Sequence, residues 1–492
     1  MVKGEARESA RKRSPERIGP IKYVSTRDQA PKLAFDEVLL AGLARDGGLY
    51  VPEAWPQFSA ADIAAMKDLS YAETAVRVIR PFVEGSMTDA ELEAIVADAY
   101  SHFDHPDVAP LKELGDNEYL MELFHGPTLA FKDQAMQFLG PLFDFVLNRS
   151  GRRVTIVGAT SGDTGSAAIE ACRDRDAIDI FILYPNGRVS DVQRRQMTTV
   201  ASSNVHCIAL EGTFDDCQSL VKGLFNDIAF RDRWRLSAVN SINWARIVAQ
   251  IVYYFFAAVK VGAPDRPVSF AVPTGNFGNV FAGYAARKMG LQIDQLVVGS
   301  NRNDILTRFF ETGTMKTEGV VPTISPSMDI QISSNFERLL HDILDGDGAW
   351  VRSLMEDFQA AGQFSIAEDL LRDLTSVFSG ARFDDDQTRA VIGQLHRETG
   401  ELIDPHSAVG IAAGRALRRD QSVPMIALAT AHPAKFPDAV KAAAGVAPGL
   451  PAHLADLFER PERYEILAND RETVGAFIAG TLEGESAGSL AS

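Results

Sequence analysis

Apolar positions change their period along the chain, and the change marks out its organisation. Near the start, residues 22–27 read as a short strand. Phe35, Val38, Leu39 and Gly42 then share one face of a helix, which the turn Asp46-Gly47-Gly48 ends. Thr88 and Glu91 carry a capping-box signature ahead of Leu92, Ile95 and Tyr100, so the first hundred or so residues predict a mainly helical unit with a small hairpin. Further on, apolar residues bunch into short β-type runs at 154–157, 180–184, 205–210, 268–272, 296–299 and 425–429. Helical patterns separate them, among them 192–200 and 217–230. Strands alternating with helices predict an α/β fold with parallel sheets covered on both faces. The longest apolar run, 247–259, contains Gln250 and stops at Lys260; it is too short to span a bilayer and predicts a buried helix.

A chain of 492 residues exceeds what one core can hold. The expected division is a disordered tail over 1–20, a mainly helical N-terminal domain over 21–110, two α/β lobes over 111–260 and 261–475, and a C-terminal tail over 476–492. Residues 1–20 are rich in Arg, Lys, Glu and Ser, with no apolar stretch for a signal peptide. A net charge of −17 disfavours nucleic acid or an anionic membrane as partner, but leaves room for a local basic pocket around a small anion. Cys172, Cys207 and Cys217 form no CxxC pair and no disulfide framework, which fits a reducing cytoplasm.

Candidate chemistry centres on residues 122–137, ELFHGPTLAFKDQAMQ. Lys132 stands between Phe131 and Asp133, ahead of Ala135, Met136, Phe138 and Leu139 at helical spacing. Enclosure by apolar neighbours lowers the preference of an amine for its charged form, which is what a lysine needs to condense with an aldehyde. A lysine that merely opens a surface helix is the alternative. Two Gly-rich turns at strand–helix junctions, 158–166 and 274–279, present free amide N–H groups suited to anions. Neither ends as a Walker A loop or carries the dinucleotide-binding fingerprint, and each can also be read as a tight connection. His102, Asp104 and His105 lack metal-ligand spacing. Asp342, Asp345 and Asp347 read as a turn and Asp384–Asp386 as a helix start.

Taken together, the motifs YVSTR (23–27), LLAGLARDGGLYVP (39–52), HGPTLAFKD (125–133), GATSGDTGSAA (158–168), NSINWARI (240–247), PTGNFGN (273–279), DPHSAVG (404–410) and TAHPAKF (430–436) resemble the threonine synthase family. The likeness is to its longer bacterial and fungal form, within the fold type II enzymes that use pyridoxal 5'-phosphate (PLP). It implies that Lys132 is the catalytic, Schiff-base lysine, and that Gly275, Asn276, Phe277, Gly278 and Asn279 hold the cofactor phosphate through backbone amides. Thr430 would lie next to the pyridine nitrogen. Thr160, Ser161, Gly162, Asp163 and Thr164 would receive the substrate carboxylate, with the role of Asp163 open, because many fold type II relatives carry Asn there. Asn240, Ser241 and Arg246 would contact the substrate phosphate. The implied reaction turns O-phospho-L-homoserine and water into L-threonine and phosphate, by γ-elimination and β-hydration. A small-molecule substrate, no nucleic-acid or membrane partner, no metal and a monomer are expected. The alternatives are another fold type II lyase, such as a serine/threonine dehydratase or a phospho-amino-acid lyase, and a nucleotide-binding module built on the two Gly-rich turns.

Overall fold

The computed structural model describes residues 19–238 and 240–489, with side chains to residue 484. The expected tail over 1–20 therefore lies almost wholly outside the described residues.

Two sheets organise the chain. The larger runs in the order Phe378–Arg382, Ile293–Ser300, Val268–Pro273, Met425–Ala429, Glu118–Glu122, Leu111–Gly115, parallel throughout except for the last, antiparallel pair. The smaller runs Glu465–Ala468, Val205–Glu211, Ile178–Pro185, Val154–Ala159, Leu236–Ser237, all parallel. In Ile178–Pro185 every residue is buried. Ile180, Ile182 and Tyr184 face the main core, while Phe181 and Leu183 face a second cluster on the other side. A strand apolar on both faces is what a doubly covered parallel sheet requires.

The helix Trp244–Lys260 is buried around its whole circumference from Trp244 to Val259, and is apolar there apart from Arg246, Gln250 and two tyrosine hydroxyls. It packs against Tyr71–Val83, Lys132–Ser150 and Gly278–Lys288, and so joins the N-terminal unit to the helix that Lys132 opens and to the helix after the 274–279 turn. In that unit Tyr23–Ser25 pairs antiparallel with Tyr50–Pro52. Thr88 and Glu91 exchange the reciprocal bonds of a capping box before Asp89–Ser101. Arg27 clamps Glu337 with two bonds of 3.0 and 2.9 Å. No described helix is long and apolar enough to cross a membrane.

Four expectations need correction. The lobes are not the contiguous stretches 111–260 and 261–475: residues 111–122 belong to the larger sheet, and Glu465–Ala468 returns to pair with Val205–Glu211 in the smaller. The stretch 476–492 is not simply a tail, since Arg471–Ser489 is a helix whose Val474 and Ile478 are buried. The helical pattern 217–230 divides into Phe214–Asn226 and Ile228–Trp234, because the Asp227 side chain caps the second helix by accepting from the Phe230 amide (3.0 Å). Asp342 also lies inside the helix Phe336–Ile343, where it accepts from Trp55 (3.0 Å) and Tyr284 (2.5 Å).

Candidate active site

After Glu118–Glu122 the chain turns sharply through Gly126-Pro127-Thr128. Asp133 braces the turn by accepting from the amide and the hydroxyl of Thr128, at 2.8 and 2.6 Å. The Phe131 amide donates to the Thr430 carbonyl (2.8 Å) and the His432 amide to the Leu129 carbonyl (3.0 Å), so the turn is laced to the segment that leaves Met425–Ala429. Lys132 then opens the helix Lys132–Ser150 with only 9% of its surface exposed. Its Nζ lies 3.3 Å from Asp163 Oδ2. Burial, with the positive charges of Lys435 and Arg246, pulls the Lys132 pKa below that of an ordinary lysine, against the attraction of Asp163.

Asp163 begins the helix Asp163–Cys172 after the strand Val154–Ala159. Thr160 Oγ1 accepts from the amides of Gly162 (3.0 Å) and Gly165 (2.8 Å) and so winds the intervening loop. Gly162 has φ 134°, and a Cβ there would come within 2.5 Å of the Gln193 side chain. The glycine lets Gln193 reach Asp163 Oδ1 at 2.9 Å. The same oxygen lies 2.9 Å from Nζ of Lys435, and Oδ2 accepts from Ser327 Oγ at 3.4 Å. Burial disfavours the carboxylate, but the two ammonium groups and Gln193 hold its pKa well below the usual range.

A second helix start faces this cluster. Val268–Pro273 passes through Thr274-Gly275-Asn276-Phe277 into Gly278–Lys288, and Phe277 (φ 61°) is anchored among Phe310, Phe336 and Phe378. The Phe281 amide bonds back to the Phe277 carbonyl (2.9 Å); the amides before it have no preceding turn to accept them. A Cβ on Gly275 would come 3.0 Å from Ile330 Cδ1 and 3.2 Å from Met328 Cα, so the cradle has no room for a side chain. Asn279 Oδ1 accepts from the hydroxyls of Tyr253 (2.6 Å) and Tyr254 (2.9 Å), which leaves its buried Nδ2 without a protein partner. Arg246 is 2% exposed in the first turn of Trp244–Lys260, its Nε and Nη1 are also unpartnered, and burial draws its pKa down to about 10. Buried donors of this kind are costly unless an anion meets them. An enclosed amine, a walled helix start and orphaned donors fit an aldehyde that carries a phosphate, and Arg246 provides for a further anionic group.

The sequence-predicted residues fall into this one centre in different ways. Asp163 meets Lys132 directly, and Thr430 reaches it through Phe131. The 275–279 cradle is joined to it by the neighbouring residues Ser327, on Asp163, and Met328, beside Gly275. Ser241 hydrogen-bonds Asn276, so its hydroxyl lies against the cradle. The Asn240 side chain accepts from the Ile242 amide (3.3 Å), and Thr160 is occupied by its own loop. Asp104 pairs with His125 at 3.0 Å, and no metal-holding group of three or more side chains occurs among the described residues. Sequence reasoning missed Lys435, Gln193 and Ser327. Lys435 lies in the noted run TAHPAKF, whose apolar flanks were the available signal; the run SPSMDIQIS (325–333) has no period to betray it.

The chain also matches known proteins. The family model for pyridoxal-phosphate dependent enzymes matches residues 105–425, that for the threonine synthase N terminus residues 22–100, and that for the threonine synthase C-terminal region residues 407–478. A threonine synthase of Pseudomonas aeruginosa is 56% identical over 460 residues, covering 93% of this chain and 98% of that protein. A crystal structure of PLP-bound threonine synthase from Brucella melitensis superposes with a TM-score of 0.92 at 56% identity, covering 94% of this chain and 99% of that one. The threonine synthase of yeast superposes at 0.89 with 38% identity, over 94% and 99% of the two chains. This chain belongs to the threonine synthase family of fold type II, pyridoxal-phosphate-dependent enzymes.

Proposed function

We propose that the centre converts O-phospho-L-homoserine and water into L-threonine and phosphate, with Lys132 as its catalytic lysine. The observation that carries this reading is the buried Arg246, unpartnered at Nε and Nη1 and close enough to Lys132 to depress its basicity. A dehydratase acting on an unphosphorylated amino acid has no need of such a group. Arginine suits a phosphate because its planar fork can bind two oxygens at once.

When bound, pyridoxal phosphate supplies the electron sink that stabilises negative charge beside the amino carbon. The amides of residues 275–279 and Asn279 Nδ2 would hold its phosphate, and the Thr430 hydroxyl would serve the ring nitrogen. Once released from the cofactor, the Lys132 amine is the base for the Cα proton, and its lowered pKa leaves it unprotonated more readily than an exposed lysine. In the loop of Thr160, Ser161, Gly162, Asp163 and Thr164, the amides of Thr160 and Gly162 are already engaged, and those of Ser161, Asp163 and Thr164 at the helix start would receive the substrate carboxylate. Arg246 would bind the γ-phosphate and retain it as it leaves. The segment 325–335, folded over Asp163 and Gly275, would shield the chemistry from stray water until addition at Cβ. Three buried, unpaired cysteines fit a reducing, cytoplasmic setting.

The test is Lys132→Ala, with threonine, 2-oxobutanoate and phosphate measured separately. The variant is expected to bind the cofactor without the visible band of a lysine-bound aldehyde and to make no threonine. Wild-type protein that releases 2-oxobutanoate in step with phosphate would refute the reaction.

A further inference from the structure

Lys435 is 0% exposed, and its amine is held between two oxygens. Its Nζ donates to the Thr128 carbonyl at 2.6 Å and lies 2.9 Å from Asp163 Oδ1, while the other carboxylate oxygen faces Lys132 at 3.3 Å. Three charged side chains thus stand in a row out of water: Lys132, Asp163, Lys435. A pair of Lys132 and Asp163 alone would be balanced only while Lys132 is charged. Once that nitrogen gives up its proton, whether as an imine or as a free amine acting as a base, that balance is lost, and a buried carboxylate left uncompensated is strongly disfavoured.

We propose that Lys435 is a positioning residue of the centre: a sealed ammonium that holds the Asp163 carboxylate against Lys132 and remains its counter-ion while Lys132 changes charge. The placement of its neighbours serves the same end. Gln193 donates to the oxygen that Lys435 also holds, so Asp163 Oδ1 is fully engaged and Oδ2 is left to Lys132 and Ser327. Lys435 also braces the carbonyl of Thr128, whose amide and hydroxyl are fixed by Asp133 next to Lys132. The charged groups that act on Lys132 are Asp163, Lys435 and Arg246. Removal of Lys435 takes away a positive charge, so the nitrogen of Lys132 should hold its proton more tightly. The inference rests on Lys132 being the lysine that binds the cofactor.

The experiment is a pH titration of the visible band of the lysine-bound cofactor in holoenzyme, for wild type, K435M and the double variant D163N/K435M. The midpoint in K435M is expected to rise by about one pH unit, the scale of a close charge on a buried site. In the double variant the midpoint should instead fall below that of wild type, because the closer and larger influence of Asp163 is lost together with that of Lys435. If K435M fails to fold, D163N/K435M is expected to fold, since it buries no uncompensated carboxylate. A folded, cofactor-loaded K435M with the wild-type midpoint overturns the role of Lys435, as does a double variant that fails to fold. Wild-type holoenzyme without the band overturns the assignment of Lys132, and this proposal with it.

Discussion

Arg246 shows how a single residue can be wrong for stability and right for chemistry. A guanidinium 2% exposed, with two nitrogens lacking protein partners, weakens the empty fold. Its replacement by a residue of similar bulk, Arg246→Leu, should leave the cofactor-free protein as stable as wild type or more stable by about 1–4 kcal/mol. If Arg246 binds the substrate phosphate as proposed, the same change removes charge-assisted bonds of about 1.5–3 kcal/mol each, so kcat/KM should drop by roughly a hundredfold or more. Urea unfolding of the apo protein and steady-state phosphate release check the two halves. A variant that is less stable but fully active would make Arg246 a structural residue. At this scale the sequence was most informative where an unusual residue had apolar flanks, as at Lys132; it picked out Asp163 within a Gly-rich turn but left its role open. It offered no more than apolar flanks at Lys435 and nothing at Gln193, whose importance comes from meeting one carboxylate across more than 200 and about 30 residues respectively. No local pattern encodes such a meeting.

Elements were legible wherever their period was strong. Met425–Ala429 runs as its apolar sequence predicts, and Thr88 with Glu91 caps its helix as the spacing requires. Sheet membership was not legible, because a parallel strand can enter either sheet after its crossover and the local pattern is the same in both. The turn into Gly278–Lys288 illustrates what an element contributes to the site: its free amides exist only because a helix begins there. Gly275→Ala tests that geometry. The new methyl would stand 3.2 Å from Met328 Cα, and backbone cannot swing aside as a flexible side chain does. The segment 326–330 should move outward and the cradle open. Apo stability is expected to change by less than about 1.5 kcal/mol, whereas cofactor affinity, read by absorbance titration, should fall about tenfold. Unchanged affinity would show that residues 275–279 do not hold the cofactor phosphate.

For the whole molecule the decisive feature is that one centre draws on both sheets: Asp163 comes from the smaller, while Lys132, Thr430 and the 275–279 cradle leave strands of the larger. The smaller sheet keeps its outer face dry with the C-terminal helix Arg471–Ser489, whose Val474 and Ile478 pack with Phe181, Leu183 and Leu224. Ile478→Ala leaves a cavity in that outer layer, on the face away from Ile180, Ile182 and Tyr184, which look towards the main core. The cost should be about 2–5 kcal/mol in the apo protein. A ligand that binds only the assembled state stabilises it by mass action, so saturating cofactor should recover about 2–4 kcal/mol of that loss. The variant's kcat should stay near wild type once cofactor is bound, because the lost methyl groups touch none of the reacting residues. Urea midpoints with and without pyridoxal phosphate, beside kcat at saturation, measure all three quantities. If the cofactor restores nothing while still binding at Lys132, the smaller sheet folds independently of the site, and Asp163 is not held in place by the assembly that the cofactor completes.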